Sequence, residues 1–465
     1  MKTSSFFAIS AAAAGFLGHA VAIDVDFTSP SSVKNAAATV AFDLMSYYTG
    51  NISGEYNIPG LLEQPPSGYY WWQAGAMWNT MLDYWHITGD TSYNAVISQA
   101  LLFQVGDDED YMPTNQTKTL GNDDQGFWGM AAMAAAEYNF SNPPEDEPQW
   151  LALAQAVFVT QAARWDTAYC QGGLRWQIYQ FNVGYDYKNS ISNGCFFNLG
   201  ARLARYTGND TYATWANKTW DWIETIGLID AEYNIYDGSD VSDNCTTINH
   251  VQYSYNAGVW ILGAAHMYNL TESDVWKTRV EGLLNRTITV FSDSATGIIV
   301  EPNCELTSPA SCNTDQKSFK AYLTRWLATT SQLAPFTYVT ISEWLLTSAK
   351  AAAAQCTGGD NGTACGLKWV TDGKTGTWDG TTGVGEEMSA LEVIQSTLIG
   401  QTAAPVTNTT GGTSTGDYTA GSGSKTEADV TNDWVPTIGD KAGAGVATAV
   451  ILAGLIGGVV WMGME

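Results

Sequence analysis

Apolar side chains recur every three or four residues between about residues 30 and 400, whereas positions that alternate between apolar and polar are rare. The first spacing is typical of one face of an α-helix and the second of a half-buried strand, so the pattern predicts an all-α protein. Twelve segments fit the helical spacing: 31–48, 71–87, 93–105, 123–138, 149–164, 191–206, 212–226, 256–268, 274–291, 319–334, 341–354 and 388–399.

Two breaks between these segments repeat one another. Residues 88–93 and 207–212 each place a helix-ending glycine before a capping residue, followed by a tyrosine that starts the next helix. Twelve helices then form six helical hairpins, which must bury their apolar faces on one another. A closed toroid of six hairpins, an (α/α)6 barrel, meets this need without exposed ends. An open solenoid is the alternative.

The strongest chemical signal is the run Gly-Asn-Asp-Asp-Gln-Gly-Phe-Trp-Gly at 121–129. Asn122 is the predicted N-cap, and Asp123 and Asp124 fall in the first helical turn, where negative charge is favourable. Because helix neighbours are about 100° apart, two short side chains can converge on one sugar at the roughly 5 to 5.5 Å separation of a retaining glycosidase. The aromatic residues Phe127 and Trp128 supply walls that would raise the pKa of one carboxyl group.

Adjacent aspartates at a helix start are also a common capping arrangement, and a denser acidic run exists at 106–111. We interpret Asp107 to Asp110 as a solvated loop or a weak cation site, because this run lacks the aromatic surroundings of the pair. A calcium-dependent adhesin that uses this run is therefore the weakest of the functional alternatives.

The chain carries 47 acidic and 20 basic side chains, which give a formal net charge of −27. This charge disfavours nucleic acid and anionic membrane surfaces as partners. The chain has 19 tryptophans and 23 tyrosines, and their high density continues to about residue 400, which favours one large folded unit and suits stacking on sugars. No C-x-x-C or H-E-x-x-H spacing occurs, so we expect neither a metal site nor a cofactor.

Both ends of the chain carry targeting patterns. Residues 1–22 form a basic start, an apolar core and a small-residue cleavage site, which predicts a secretory signal peptide. Residues 401–438 are rich in Ser, Thr and Gly and predict a stalk, and 439–465 have the layout of a GPI-attachment signal that is removed. A membrane-spanning helix is the alternative for this end, but no Lys or Arg follows the apolar run. We therefore expect a secreted protein at the cell surface, anchored to the plasma membrane through a GPI lipid or placed in the cell wall.

A secreted chain can form disulfides and carry N-linked glycans. The close pairs Cys304 with Cys312 and Cys356 with Cys365 are the predicted disulfides, while the sequence leaves the pairing of Cys170, Cys195 and Cys245 open. One of the seven thiols must be free or intermolecular. Predicted glycosylation sites are Asn51, Asn115, Asn139, Asn209, Asn217, Asn244, Asn269, Asn285, Asn361 and Asn408.

With these residues in view, the chain resembles glycoside hydrolase family 76, in particular its GPI-anchored fungal cell-wall members similar to mannan endo-1,6-α-mannosidase. The matching segments are 121–129, 172–176, 188–194, 233–238, 255–258, 319–320 with Arg325, and 378–380. The resemblance implies the (α/α)6 barrel, with Asp123 as nucleophile and Asp124 as acid/base. Bacterial relatives tend to have Tyr-Asn-Gln-Gly where residues 255–258 read Tyr-Asn-Ala-Gly, so we expect one substrate contact to differ.

The matching segments also suggest residues that bind substrate: Trp72, Trp128, Trp176, Lys188, Asn189, Asp237, Tyr255 and Asn256. The alternative is that the aromatic residues only pack the core and that residues 237–238 form a turn. The implied activity is retaining endo-α-1,6-mannosidase action on mannan. One alternative is a transglycosidase that joins the GPI glycan of wall mannoproteins to a β-glucan acceptor. A non-catalytic mannan-binding wall protein is the alternative from another class, against which the carboxylate pair argues.

Overall fold

Helices supply nearly all the regular structure in the computed structural model, which describes residues 23–52, 58–65, 68–307, 309–371 and 373–423. The predicted signal peptide and GPI-attachment signal lie outside these residues. The helices are α1 (Pro30–Met45), α2 (Trp71–Thr88), α3 (Asn94–Phe103), α4 (Asn122–Glu137), α5 (Trp150–Ala163), α6 (Ser190–Thr207), α7 (Asp210–Thr225), α8 (Ser254–Thr271), α9 (Asp274–Phe291), α10 (Pro302–Glu305), α11 (Phe319–Leu333), α12 (Tyr338–Gln355) and α13 (Val384–Ser396). A small antiparallel sheet joins β1 (Tyr187–Asn189), β2 (Gly238–Asp240) and β3 (Ile248–Asn249) in that order.

Six helices form a closed inner ring. Helix α2 packs on α4, α4 on α6, α6 on α8, α8 on α11, α11 on α13, and α13 returns to α2. The other long helices pack outside this ring: α1 and α12 on α13, α3 on α2, α5 on α4, α7 on α6 and α9 on α8. This arrangement is the (α/α)6 barrel, so the predicted fold is confirmed and the open solenoid is wrong.

Inner and outer helices differ in composition for a physical reason. In α4 every residue except Asp124 is buried, and its many Ala, Gly and Met residues let neighbouring helices approach from all sides. In the outer helix α9 the buried residues form one stripe, with charged residues on the remaining surface. Continuous burial thus marks the inner ring and a single apolar stripe marks the outer one.

The long helices coincide with the predicted segments, and the ends differ by a few residues. Gly89 and Gly208 end α2 and α6 in the left-handed conformation, with φ of 79° and 71°, as the repeated break predicts. The predicted N-cap of α4 is wrong by one position, since Gly121 is the cap and Asn122 is the first helical residue. The side chain of Asn122 is engaged elsewhere: its Nδ2 donates to Arg175 O at 2.9 Å and its Oδ1 accepts from Arg164 Nε at 2.8 Å.

The chain after residue 401 does not start a free spacer, in contrast to the prediction. Val406 N–H donates to Glu137 O at 2.9 Å, and Asp417 N–H donates to Gln155 Oε1 at 2.8 Å. Ser414 Oγ accepts from Leu151 N–H at 3.0 Å. Residues through 422 therefore belong to the same folded unit as the barrel. Their Thr- and Gly-rich composition prevents a separate core, but it permits hydrogen bonding along the helix ends.

Three disulfides are present in the described chain. The predicted pairs Cys304–Cys312 and Cys356–Cys365 are bonded, Cys170 pairs with Cys245, and Cys195 is a buried free thiol. All predicted glycosylation asparagines are exposed or half-buried. No helix in the described ranges is long and apolar enough to cross a bilayer.

Candidate active site

A cavity of about 500 Å³ opens at the end of the barrel where inner helices begin. Residues at the starts of α2, α4, α8 and α11 line it, together with the residue that caps α6. Helix N-termini bring positive ends of dipoles and unpaired N–H groups toward this space. Of the predicted site residues, the lining contains Asp123, Asp124, Trp72, Trp176, Asn189, Asp237 and Tyr255.

Asp123 and Asp124 lie side by side in the first turn of α4. The Oδ2 atom of Asp124 accepts from Gly121 N–H at 2.6 Å, and Asp123 Oδ1 accepts from Asp124 N–H at 3.2 Å. A Cβ atom at Gly121 would come within 3.0 Å of both carboxylates. Any larger residue at the cap would therefore displace the Asp123 carboxylate, and the two carboxyl groups converge on one small region.

Burial raises the pKa of both carboxyl groups above their ordinary values. The charge of Asp123 raises the pKa of Asp124 further, while backbone N–H groups and the Asn189 side chain favour ionised Asp123. None of the ion pairs among the described residues involves either aspartate. The pair is thus arranged to share one ionised and one protonated carboxyl group.

The short sheet carries a second set of polar groups to the cavity. Strand β1 pairs with β2, which places Tyr187 and Asn189 beside Asp237. Tyr187 Oη donates to Asp237 Oδ2 at 2.7 Å, and burial raises the pKa of Asp237. Asn189 caps α6 by accepting from Ser192 N–H at 3.1 Å and also hydrogen-bonds Asp123.

Lys188 was predicted to contact substrate, and the structure contradicts this. Its ammonium group is fully buried and donates to the backbone oxygens of Asp166, Tyr169 and Gly172 at 2.9, 2.8 and 2.6 Å. Successive side chains of a strand point to opposite faces, so Lys188 points away when Asn189 faces the cavity. Lys188 therefore holds the preceding loop in place.

Trp128 and Asn256 are also fully buried and do not line the cavity, in contrast to the prediction. Each follows a residue that does line it, Phe127 on α4 and Tyr255 on α8. The turn of about 100° between helix neighbours carries the second residue away. Trp128 stacks on Trp71 at 5.1 Å and donates to its backbone oxygen at 3.2 Å.

Aromatic rings form the apolar walls of the cavity. Trp72 packs on Phe127 with ring centroids 4.7 Å apart, and Tyr255 stacks on Phe319 at 3.8 Å. Trp176 remains 36% exposed at the cavity. Flat rings beside carboxylates suit the apolar faces and hydroxyl groups of a sugar.

Several lining residues are not among the site residues predicted from the sequence. Tyr253 and Phe319 adjoin or start segments already singled out, so those segments offered a signal for them. Asp315 lies in a loop without helical pattern, and nothing local marks it. The acidic run at 106–111 does not line the cavity: residues 107–109 are exposed and Asp110 is buried. No group of His, Cys, Asp or Glu in the described ranges is arranged to hold a metal ion.

Comparisons with known proteins identify the family. Residues 32–409 match the profile of Glycosyl hydrolase family 76. Mannan endo-1,6-alpha-mannosidase DCW1 of Saccharomyces cerevisiae is 50% identical over 446 residues, which is 95% of each chain. Mannan endo-1,6-alpha-mannosidase DFG5 of the same yeast is 44% identical over 444 residues, covering 95% of this chain and 94% of that protein.

Solved structures give the same result. The crystal structure of Dfg5 from Chaetomium thermophilum in complex with glucosamine matches with a TM-score of 0.82 and 48% identity, covering 88% of this chain and 99% of that chain. The GH76A α-1,6-mannanase of Salegentibacter sp. HEL1_6 shares the fold at 16% identity, with a TM-score of 0.62, covering 78% and 98%. The protein described here belongs to glycosyl hydrolase family 76.

Proposed function

We propose that this protein is an endo-acting α-1,6-mannosidase that cleaves the α-1,6-linked backbone of mannan with retention of configuration. The observation that carries the proposal is the buried pair Asp123 and Asp124, which converges at one cavity without a cationic partner. The names of relatives that are 44–50% identical over nearly the whole chain support the substrate.

We infer the roles of the two carboxyl groups from their surroundings. Asp123 accepts hydrogen bonds from two backbone N–H groups and from Asn189, whereas Asp124 accepts from the backbone N–H of Gly121, so ionised Asp123 is the better stabilised of the two. Asp123 therefore attacks the anomeric carbon and forms a covalent glycosyl intermediate. Asp124 keeps its proton beside that charge and delivers it to the leaving glycosidic oxygen. In the second step the incoming hydroxyl oxygen attacks the anomeric carbon, the bond to Asp123 breaks, and Asp124 takes the hydroxyl proton, so that both groups are restored.

The acceptor in the second step decides between hydrolysis and transfer. Val183 lines the cavity and is 93% exposed, and the half-exposed ring of Trp176 lies in the same lining. These residues offer an apolar surface on which an acceptor sugar can rest while water is displaced. This surface favours, as a second candidate, a transglycosidase that joins the mannose-containing GPI glycan of wall proteins to β-glucan. A purely mannan-binding protein would not need two unneutralised carboxyl groups.

We also propose that the protein acts at the cell surface. Residues 1–22 and 439–465, which carry the predicted signal peptide and GPI-attachment signal, lie outside the described residues. A GPI lipid would hold the barrel next to the wall polymers that it acts on.

The test incubates the secreted protein with α-1,6-mannan oligosaccharides, with and without a labelled β-glucan acceptor. Shortened α-mannosides that keep the α-anomer when first released are the expected hydrolysis product. Label that moves into mannose-containing chimeric products would establish transfer. The absence of both product types, with the oligosaccharide still bound in calorimetry, would favour the non-catalytic alternative.

A further inference from the structure

A disulfide-closed loop brings a third carboxylate to the catalytic pair. The loop leaves α10, is closed by the bond between Cys304 and Cys312, and reaches the start of α11. Asn313, Asp315 and Gln316 follow the second cysteine directly and line the cavity. The residues that precede α11 therefore reach the cavity on the side of that helix, whereas Asp123 and Asp124 reach it from the start of α4.

Within the described part of the chain, the carboxyl group of Asp315 has a hydrogen-bond partner for only one of its two oxygens. Trp72, which packs on Phe127 beside the pair, hydrogen-bonds its carboxyl group. The Oδ1 atom of Asp315 is buried and has no hydrogen-bond partner among the described residues. A buried acceptor without a donor is unfavourable unless a ligand supplies one, and sugar hydroxyl groups are such donors.

The groups that face Asp315 are mostly acidic or neutral. Asp123 and Asp124 interact with it electrostatically from α4, Tyr255 from α8 and Tyr322 from α11. The remaining titratable groups of the cavity lining are Lys118, Asp237, Tyr70, Tyr187 and Tyr253.

The nearest lysine in sequence, Lys317, is paired with Glu386 at 3.0 Å and so does not neutralise Asp315. No ion pair among the described residues involves Asp315 either.

We propose that the Asp315 carboxylate binds the sugar at the catalytic pair, with a small rotation of the carboxyl group bringing the unpartnered Oδ1 to a substrate hydroxyl, and that its negative charge helps to keep Asp124 protonated. The proposal rests on the glycosidase function proposed above. A second negative charge near a carboxyl group disfavours ionisation of that group, so Asp315 acts on Asp124 in the same direction as Asp123 does. The same side chain thus binds the substrate and influences the protonation state of Asp124.

The experiment compares the pH profile of kcat/KM for the wild-type protein, Asp315→Asn and Asp315→Glu on α-1,6-mannan oligosaccharides. We expect Asp315→Asn to reduce kcat/KM by about 10-fold, since the substrate hydroxyl then donates to a neutral amide oxygen in place of a carboxylate. The alkaline limb should move to lower pH by at least about 0.5 unit, because Asp124 then loses its proton more easily. This limb is the informative one, since Asp315, whose burial raises its pKa to about 6, is ionised there.

Asp315→Glu keeps the charge and should restore the wild-type alkaline limb even where KM stays raised. The matched control is Ser311→Ala, an exposed residue of the same loop that does not line the cavity, which should leave kcat/KM and the profile unchanged. An Asp315→Asn variant with reduced kcat/KM but an unshifted profile would overturn the electrostatic role. Unchanged KM and an unshifted profile would overturn the whole proposal.

A wild-type protein without activity would instead refute the proposed function, and the two failures are told apart by binding. Calorimetry with α-1,6-mannotriose, run on the wild-type protein and Asp315→Asn, should then still show at least about tenfold weaker binding by the variant. Equal affinities would overturn the substrate contact. Thermal melting of Asp315→Asn and Asp315→Glu identifies a misfolded variant, and binding by whichever of the two melts like the wild-type protein decides the question.

Discussion

Both ends of helix α4 bury acidic side chains, but among the described residues only the acid at the C-terminal end is paired with a cation. At the last residue, Glu137 Oε2 accepts from Arg202 Nη2 at 2.7 Å and from Arg202 Nε at 3.0 Å. At the first turn, Asp123 and Asp124 have no cation and are held only by N–H groups and Asn189. A buried charge is normally paired, so the unpaired end is the one arranged for chemistry.

A second buried ion cluster in the barrel also pairs its acidic side chains with a cation, as Glu137 is paired with Arg202. Arg325 lies 2.9 Å from Asp83 Oδ2 and 2.7 Å from Glu392 Oε1, so one guanidinium group joins α2, α11 and α13. Arg325 and Lys188 both belong to the segments that resemble the family. Both are buried, and their side chains bond parts of the scaffold to one another. A family match in a cationic residue therefore indicates a structural role here, whereas the match in the aspartates indicates the site.

The largest effect should come from the unpaired end. Asp123→Asn and Asp124→Asn should each reduce turnover by at least ~10³-fold, since each removes a covalent or proton-transfer role. With a substrate that has a good leaving group, Asp124→Asn should still form the glycosyl intermediate, and azide should release a mannosyl azide of retained configuration. Steady-state kinetics and NMR of the product test both statements.

The control for this prediction is Asp107→Asn in the exposed acidic run, which should keep normal turnover. Equal damage from Asp107→Asn, or full activity of Asp123→Asn, would mean that the active site lies elsewhere.

A substitution at the paired end should lower stability and leave turnover nearly unchanged. Glu137→Gln leaves the buried guanidinium of Arg202 without its counter-charge, so we expect the free energy of unfolding to fall by about 3–5 kcal/mol. Turnover per folded molecule should stay within about twofold of the wild-type value, because Glu137 lies at the other end of the helix. Denaturant titration and active-site-normalised kinetics give the two numbers.

Replacing both partners, as Glu137→Gln with Arg202→Met, should recover part of the lost stability, since no buried charge is then left unpaired. A double variant that is less stable than the sum of the single changes would show that the pair is not an isolated unit.

The same contrast explains what the sequence could predict. The place of Asp123 and Asp124 at the cavity could be predicted because their helix, their neighbours and their chemistry lie within one short run. Lys188 and Asn189 could not be separated, because a three-residue strand shows no alternation that tells which side chain faces the cavity. Asp315 reaches the pair only through the tertiary fold, and its loop has no periodicity. The packed segment after residue 401 was predicted as a spacer because composition reports the lack of a core but not hydrogen bonding to other helices.

The smallest effect concerns stability against pH. The pKa of Asp124 is raised in the folded protein above its value of about 3.9 in the unfolded chain. The folded state therefore keeps a proton that the unfolded state loses, and the resulting stability is fully present below about pH 4 and declines as pH rises toward the folded pKa. Asp124→Asn escapes this decline and can still accept from Gly121 N–H. We expect it to melt about 1–3 °C above the wild-type protein at pH 7 and to lose this advantage near pH 3. A lower melting temperature at pH 7, as expected for Glu137→Gln, would instead make Asp124 a structural cap.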